Sequence, residues 1–501
     1  MKNKDSRIKN NVLSSVVYQV VLIGLSFILP RLYLENFGSE VNGVLSTIKQ
    51  IFTYMCLLEA GVGLATTQAL YKTVGKNDYE NSSQILSATN KYYKKTGFVY
   101  LALVLVIAVV YAYIVPTGIN SHVVFFIVIL NAIPSLFSYF IQAKYRILME
   151  VDGRKYVINN SETVVQLVSN IGKVAVLVFT DSLILIQLVY CIIAVFQLGF
   201  LYVYAKRRYK WLNLKAQPDY KAISQKNSVL VHQLSGMVFN NTDVILISLL
   251  CDFKSVSIYA IYSIFFNQMQ TFITSVVSGL NFALGQMFYA DRDKFHKVYR
   301  VYETYYIMGT FIIYTLMAVF MLPLIQIYTK GINDAEYSNV YLVFLFVLMN
   351  LLANGKLPVN SVLEYSGEFK NTRSHAIWEM IINIGVSIVA IMYFGICGAI
   401  VGTIVALIYR SIVMIDYSNR KILGVSSWNT YKCWVINGFV FAVVMIVFFV
   451  DTFSNVSFLR LVLNGVVHSV WIVALYIIAN AMFCKNEFKT LIELYRGKNK
   501  Q

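Results

Sequence analysis

Apolar blocks of about 20 residues recur along the whole sequence, and a block of that length crosses about 30 Å of hydrocarbon when it is helical. The chain has 501 residues, of which 58% are hydrophobic and 13% are charged. A soluble protein carries about a quarter charged residues. The sequence therefore predicts an all-α polytopic membrane protein.

Fourteen transmembrane helices are predicted from these blocks. The apolar stretch behind the basic N-terminal segment MKNKDSRIKNNV is too long for a secretory signal peptide, so we expect it to remain as the first helix. The predicted helices lie at about 11–34, 43–66, 97–116, 122–143, 160–180, 183–204, 229–250, 256–284, 302–328, 339–363, 376–394, 396–418, 433–450 and 458–483.

Basic residues concentrate at the N-terminus, in every second loop and in the C-terminal tail. The densest run is AKRRYKWLNLKAQPDYKAISQK, whereas the intervening loops hold little beyond Lys254, Lys330 and Arg460. The positive-inside rule then places both termini in the cytoplasm. This distribution accounts for the net charge of +17 without a nucleic-acid partner, and the basic loops would contact anionic membrane lipids.

The two halves of the chain carry matching segments, which indicate an internal duplication of six helices. The predicted domains are an N-terminal lobe at 1–205, a basic cytoplasmic linker at 206–228, a C-terminal lobe at 229–420, and two further helices with a cytoplasmic tail at 421–501. The matches are Val41 with Ile258, Lys91-Tyr92-Tyr93 with Thr304-Tyr305-Tyr306, and Asn170-Ile171-Gly172 with Asn383-Ile384-Gly385.

The stretch QLSGMVFNNTDVILISLL, at 233–250, places Asn240, Asn241, Thr242 and Asp243 near the middle of a predicted helix. A carboxylate at the centre of a bilayer costs about 2.5–3.5 kcal/mol on insertion scales. Such a residue is retained where it faces a partner, an ion or a water-filled cavity. We therefore predict a functional role for Asp243.

Other polar residues also fall inside predicted helices. Glu379 and Asn383 lie four residues apart and share a helix face, and Thr403 lies beside Gly402 on the next helix. Their oxygens, with Asp243, suit Na⁺ or a proton; an interhelical hydrogen-bond cluster is an equal alternative. Four further charged residues could be structural, by snorkelling or by local pairing: Arg31, Lys173, Lys356 and Arg410. Lys49 is harder to explain in this way, because it lies about two turns inside the second predicted helix, and Glu59 is the remaining acid.

The motifs of soluble catalysis are missing from the sequence. It has no P-loop, no glycine-rich dinucleotide turn and no nucleophile elbow. Its six cysteines are scattered singly, which favours neither a zinc site nor a disulfide framework. We expect no enzyme activity and no cofactor, and we expect an ion gradient or the membrane potential to supply the energy.

Three stretches resemble the multidrug/oligosaccharidyl-lipid/polysaccharide (MOP) flippase superfamily, and within it the Wzx-type polysaccharide repeat-unit flippases. They are LPRLYLENFGSEVNGVLSTI, NNTDVILISLLCDFKSVSIYAIYS and EYSGEFKNTRSHAIWEMIINIGVSIVAIMYFGICGAIVGTIVAL. The resemblance implies transport of undecaprenyl-diphosphate-linked oligosaccharides across the cytoplasmic membrane for capsule or exopolysaccharide synthesis. It also implies alternating access between two lobes, with a polymerase and glycosyltransferases as partners in the pathway.

The resemblance also implies roles for individual residues. Lys49 and Arg31 correspond to cations that would meet the diphosphate, and Asp243, Asn383 and Thr403 correspond to a sodium site. The sequence departs from that pattern because Ser387 stands where a second acid is expected, unless Glu379 replaces it.

Three alternative functions remain open at this stage. A lipid II flippase differs only in its cargo. A multidrug exporter of the same fold would favour an acidic cavity, which Lys49 and Arg31 oppose and which Glu59 and Asp243 would allow. A membrane-embedded polysaccharide polymerase is more distant, because it would need a large outer catalytic loop.

Overall fold

The structure is a computed structural model that describes residues 2–75, 78–180, 182–223, 242–366, 368–449 and 458–498. These ranges contain helices and no β-strand. Eleven of the helices are long and apolar enough to cross a membrane. The predicted all-α polytopic membrane fold is thus confirmed. Most of the predicted seventh helix, 229–250, lies outside the described residues.

The chain divides into two compact units, Met1–Ile245 and Leu246–Gln501, which we call the first and the second unit. The helices of the first unit are α1 Lys2–Met55, α2 Leu57–Gly75, α3 Tyr79–Tyr113, α4 Ser121–Phe137, a π-helix Ser138–Gln142, α5 Ala143–Val151, α6 Lys155–Phe179 and α7 Leu183–Arg208. A further helix, α8, covers described residues 242–250 at the boundary of the two units.

Gly38 divides α1 into two helical segments. Its φ of 78° lies in the left-handed region, where a glycine is favoured because it has no Cβ. The predicted loop between the first two helices is therefore a kink at one residue. The second predicted helix, 43–66, continues to Gly75 with an interruption at Cys56, where the Glu59 N–H donates to the Cys56 carbonyl.

Aromatic side chains form much of the core of the first unit, in which α3 packs against α2 and α4 and α6 packs against α1 and α7. Tyr93 and Tyr100 of α3 are buried against Tyr139 of the π-helix, with ring centroids 6.2 and 5.1 Å away. This contact fixes the π-helix against α3.

The described part of the predicted linker packs against the first unit. Ser87 of α3 donates a hydrogen bond to the carbonyls of Leu214 (3.1 Å) and Ala216 (2.8 Å). The Asp219 N–H donates to the Gln84 carbonyl, 3.2 Å away. Residues 224–228 of the predicted linker lie outside the described residues.

The second unit contains the remaining long helices. They are α9 Phe253–Ala290, α10 Arg292–Tyr328, α11 Val340–Gly355, α12 Leu357–Ser366, α13 Phe369–Phe394, α14 Ile396–Asp416, a π-helix Tyr417–Leu423, α15 Trp428–Phe449, α16 Phe458–Phe483 and α17 Lys485–Lys498. Stacked aromatic rings join α9, α10 and α11. The ring centroid of Phe346 in α11 lies 5.2 Å from that of Phe266 in α9, and the Phe266 centroid lies 6.3 Å from that of Tyr314 in α10.

The predicted tenth helix, 339–363, is broken at Lys356 into α11 and α12. Pro358 is the local cause, because proline has no N–H to donate to the carbonyl of Asn354, four residues earlier. That carbonyl accepts a hydrogen bond of 3.1 Å from the Tyr306 hydroxyl of α10. A neighbouring helix thus satisfies a backbone group at the break.

Glycines allow α13 and α14 to approach each other closely. A Cβ built at Gly402 would overlap the Ser387 Oγ and lie 2.5 Å from the Ser387 nitrogen. A Cβ at Gly398 would overlap the carbonyl of Ala390. The two backbones are therefore in contact, as small residues permit between membrane helices.

We predict that Gly402→Ala destabilises the second unit, because the added methyl group would have to displace the backbone of α13. Overpacking of this kind costs about 1–3 kcal/mol. The measurement is the thermal unfolding of the purified protein in detergent. The matched control is Gly385→Ala in α13, where a Cβ would meet no atom within 4 Å. Equal melting temperatures for the two variants would show that the close approach is not required for stability.

Candidate functional site

Two lysines of the first unit form a cationic pair, which we call the lysine pair. Lys49 lies on α1 and is exposed, while Lys173 lies half-buried on α6, which packs against α1. Their positive charges are close enough to interact. Both lie on helices that are long and apolar enough to cross a membrane.

No carboxylate neutralises the lysine pair among the described residues. The ammonium group of Lys173 lies 4.8 Å from the centroid of the Tyr190 ring, a cation–π contact that leaves the charge in place. Lys49 has no ion-pair partner in the described part of the chain. Two interacting positive charges on helices of membrane-spanning length favour an anionic ligand.

Arg31 differs from the lysine pair because a carboxylate compensates its charge. Its guanidinium lies 2.6 Å from the carboxylate of Glu35, one turn later on α1. Arg31 precedes the Gly38 kink and Lys49 follows it. Because the Glu35 carboxylate already pairs with the Arg31 guanidinium, a ligand phosphate at Arg31 would compete with Glu35.

Asp243 is buried near the start of the described part of α8, with 6% of its surface exposed. Its neighbour Thr242 shares a hydrogen bond of 2.7 Å with the Tyr54 hydroxyl on α1. The charge of Asp243 also acts on Tyr54. Asn240 and Asn241, which the sequence associates with Asp243, lie outside the described residues.

The second unit brings Asn383 and Thr403 together. The Asn383 amide donates a hydrogen bond of 2.8 Å to the Thr403 Oγ1, and that hydroxyl donates to the Ala399 carbonyl, 3.3 Å away. Ser387 donates to the same carbonyl over 3.2 Å. The Oδ1 atom of Asn383 is buried and has no hydrogen-bond partner among the described residues, so one oxygen could still serve as a cation ligand.

Glu379 forms a buried ion triad in the second unit, which we call the Glu379 triad. Its carboxylate lies 3.0 Å from Lys356 Nζ and 3.4 Å from Arg410 Nε. Arg410 also donates a hydrogen bond of 3.3 Å to the Thr372 carbonyl. One negative and two positive groups leave the triad with a formal charge of +1. The carboxylate predicted as an ion ligand is thus engaged by two cations.

Two features of the site are not predicted from the sequence: the Glu379 triad and the place of Lys173 in the lysine pair. Pairing of Lys356 and Arg410 with a local acid is expected in general, but their common partner is defined only by the packing of α12, α13 and α14. The sequence assigns Lys49 and Arg31, and not Lys173, to the cationic site. The one sequence signal for Lys173 is that basic residues outnumber acidic residues within the predicted helices. Among the described residues, no cluster of three His, Cys, Asp or Glu side chains suits a metal ion.

No protein-family model matches this sequence, and no curated protein matches it. The structure is similar to that of the lipid II flippase MurJ in an inward-closed conformation. The TM-score is 0.68 at 14% sequence identity, over 95% of this chain and 99% of MurJ.

The structure is also similar to two MATE transporters, the first of which is a multidrug resistance transporter. An inward-facing MATE transporter of the MOP superfamily gives a TM-score of 0.60 at 12% identity, over 83% of this chain and 98% of the other. A mutant form of the Vibrio cholerae MATE transporter VcmN gives 0.51 at 15% identity, over 87% and 98%. The chain therefore has the fold that these three proteins share.

We predict that Glu379→Gln lowers stability strongly, because it removes the carboxylate that pairs with both Lys356 and Arg410. Removing one member of a buried ion pair costs about 3–5 kcal/mol. Thermal unfolding in detergent checks this, with Glu364→Gln as the control, since Glu364 is an exposed acid of α12. If both variants melt like the wild-type protein, the triad does not stabilise the unit. A loss of transport at unchanged stability would then return Glu379 to the coupling site.

Proposed function

We propose that this chain is a flippase for undecaprenyl-diphosphate-linked oligosaccharide repeat units of a capsule, exopolysaccharide or related envelope polysaccharide. The fold supports a transporter of this superfamily, and the resemblance of the sequence to the Wzx-type branch supports the cargo. In this proposal the protein lies in the cytoplasmic membrane with both termini in the cytoplasm. It receives the lipid-linked unit from glycosyltransferases and delivers it to a polymerase.

The lysine pair is the observation that favours an anionic cargo. Two cations without a carboxylate partner destabilise a membrane interior unless water or an anion compensates them. A diphosphate supplies negative oxygens that form strong charge-assisted hydrogen bonds with ammonium groups. We assign Lys49 and Lys173 to the diphosphate, and we give Arg31 a secondary role because Glu35 already engages it.

Coupling is assigned to a cation, Na⁺ or a proton, that drives alternating access. Asp243 would carry the proton or the negative charge, and Asn383 and Thr403 would supply neutral oxygens. The buried Oδ1 of Asn383, which accepts no hydrogen bond from any described residue, supports this assignment. Ser387 stands where the resemblance implies a second carboxylate, so Asp243 is the one acid that we assign to coupling.

The lipid II flippase is the second candidate function, and the similarity to MurJ favours it. Its cargo would present the same diphosphate to the lysine pair. The two functions therefore differ only in the sugar that is transported, and a cellular test separates them.

We predict that the wild-type gene restores polymer in a strain that lacks its capsule repeat-unit flippase, and that Lys49→Gln does not. A hydrogen bond to a charged group contributes about 1.5–3 kcal/mol, so loss of the cation should lower transport by about tenfold or more. Lys49→Arg keeps the charge and should retain most of the activity. Polymer is quantified at matched expression of folded protein.

The other outcomes of this complementation reassign the function. Full activity of Lys49→Gln would remove Lys49 from the site. Rescue of a lipid II flippase deficiency, without rescue of polymer, would establish the second candidate. Drug resistance without either rescue would indicate a multidrug exporter.

We predict that Na⁺ stabilises the purified protein through Asn383 and Thr403. Melting temperatures measured in NaCl and in choline chloride at equal ionic strength should differ by a few degrees for the wild type, since a ligand stabilises the state that it binds. Asn383→Ala should abolish the difference. Asn350→Ala is the control, because Asn350 is a buried asparagine of the same unit that bonds to a backbone carbonyl.

An absence of any Na⁺ effect would exclude the sodium assignment. Transport that then depends on the proton gradient, and that is lost in Asp243→Asn, would assign coupling to a proton on Asp243. Transport by Asp243→Asn at the wild-type rate would make Asp243 structural.

A further inference from the structure

The first unit contains an open pocket of about 650 Å³, which we call the lysine pocket. Helices α3, α4, α5 and α7, the π-helix and the segment after α7 all contribute to it. Its polar lining consists of Asn90, Lys94, Lys144 and Lys215, with the Tyr145 and Tyr202 rings beside them. No Asp or Glu is among the described residues that line it. This pocket has no role in the proposed transport.

Lys144 is a buried residue of the pocket wall, with 7% of its surface exposed. Its ammonium donates hydrogen bonds to Asn90 Oδ1 (2.6 Å) and to the Phe140 carbonyl (3.1 Å). Both acceptors are neutral, so the buried positive charge has no counter-ion among the described residues. Lys94 adds a second positive charge that repels Lys144. A buried charge without a partner is costly, and an anion in the pocket would compensate it.

The π-helix supplies one of the two acceptors. Its five residues, Ser138–Gln142, interrupt the regular α-helical hydrogen bonding between α4 and α5. Insertions of this type occur frequently at functional sites. Phe140 lies in this segment, and its carbonyl accepts a hydrogen bond from the Lys144 ammonium, which holds the lysine at the pocket.

The other wall of the lysine pocket is apolar. Phe137, Phe140, Val195 and Leu198 line it, and Phe137 is 41% exposed. Gly199 also lines it, and a Cβ at this position would meet no atom within 4 Å. This wall offers space for a hydrocarbon chain beside the lysines. A small soluble anion would leave the apolar wall unused.

The sequence places the three lysines at the cytoplasmic end of their helices, because they belong to the basic loops that the positive-inside rule assigns to the cytoplasm. Basic pockets between transmembrane helices on this side bind the headgroups of anionic lipids. We propose that the lysine pocket binds an anionic phospholipid of the inner leaflet, with its phosphate at Lys144 and Lys94 and one acyl chain along the wall at Phe137 and Gly199.

The test is a titration of the purified full-length protein in detergent with dioleoyl phosphatidylglycerol, followed by native mass spectrometry. Dioleoyl phosphatidylcholine serves as the neutral lipid of equal chain length. One lysine contributes about fivefold to binding of an anionic lipid surface. We expect phosphatidylglycerol to bind one site about fivefold more weakly in Lys94→Gln and in Lys144→Gln, with phosphatidylcholine binding unchanged.

Two further variants complete the design. Gly199→Leu should fill the space for the chain and abolish binding without a change of charge. Lys210→Gln is the matched control, because Lys210 is an exposed lysine of the same segment outside the pocket. Lys94 is exposed, so its variant should fold even if Lys144→Gln unfolds.

Three outcomes would overturn the proposal. The first is equal affinity of the wild type for the two lipids, and the second is wild-type affinity in both Lys94→Gln and Gly199→Leu. The third is competition by glycerol 3-phosphate at the concentration of the lipid, which would assign the pocket to a soluble phosphate. Displacement of phosphatidylglycerol by undecaprenyl phosphate at a lower concentration would instead make the pocket part of the cargo path.

Discussion

A positive charge within hydrocarbon needs a negative partner, water or a ligand, and this requirement organises the polar residues of the structure. The second unit meets it in part, since the Glu379 carboxylate compensates one of the two charges of Lys356 and Arg410. The first unit leaves Lys49, Lys173 and Lys144 without a described carboxylate partner. Both proposed anion sites therefore lie in the first unit, at lysines that no described carboxylate compensates.

A similar requirement governs the backbone. A peptide group in a membrane must find its hydrogen bond within protein, so a helix can be interrupted only where another group replaces the missing bond. At the break between α11 and α12 the Tyr306 hydroxyl bonds to the carbonyl that proline leaves without its usual donor. In the first unit the Lys144 side chain bonds to a carbonyl of the π-helix. At each of these two irregularities, a polar side chain donates a hydrogen bond to a backbone carbonyl.

The recurrence of apolar blocks was sufficient to predict the helical membrane fold, because a block of about 20 apolar residues is typical of a helix that crosses a membrane. The contact of Asn383 with Thr403 was also predictable, since Gly398 and Gly402 mark the face on which α14 approaches α13. The Glu379 triad and the lysine pocket were not. They depend on which side chains converge from several helices, and a sequence of charges within separate spans does not specify that convergence. Gly38 and Pro358 did carry local signals for their kinks, but a hydropathy pattern averages over them.

The close contact of α13 and α14 restricts how this hairpin can move. Backbones that touch through glycines leave no gap into which either helix could slide, and packed interfaces resist gradual deformation. We therefore expect α13 and α14 to move together as one rigid body. Whatever rearrangement the second unit undergoes, Asn383 and Thr403 travel together and keep their separation. An ion held by this pair would thus experience a change in its access to water while its two neutral ligands stay in register.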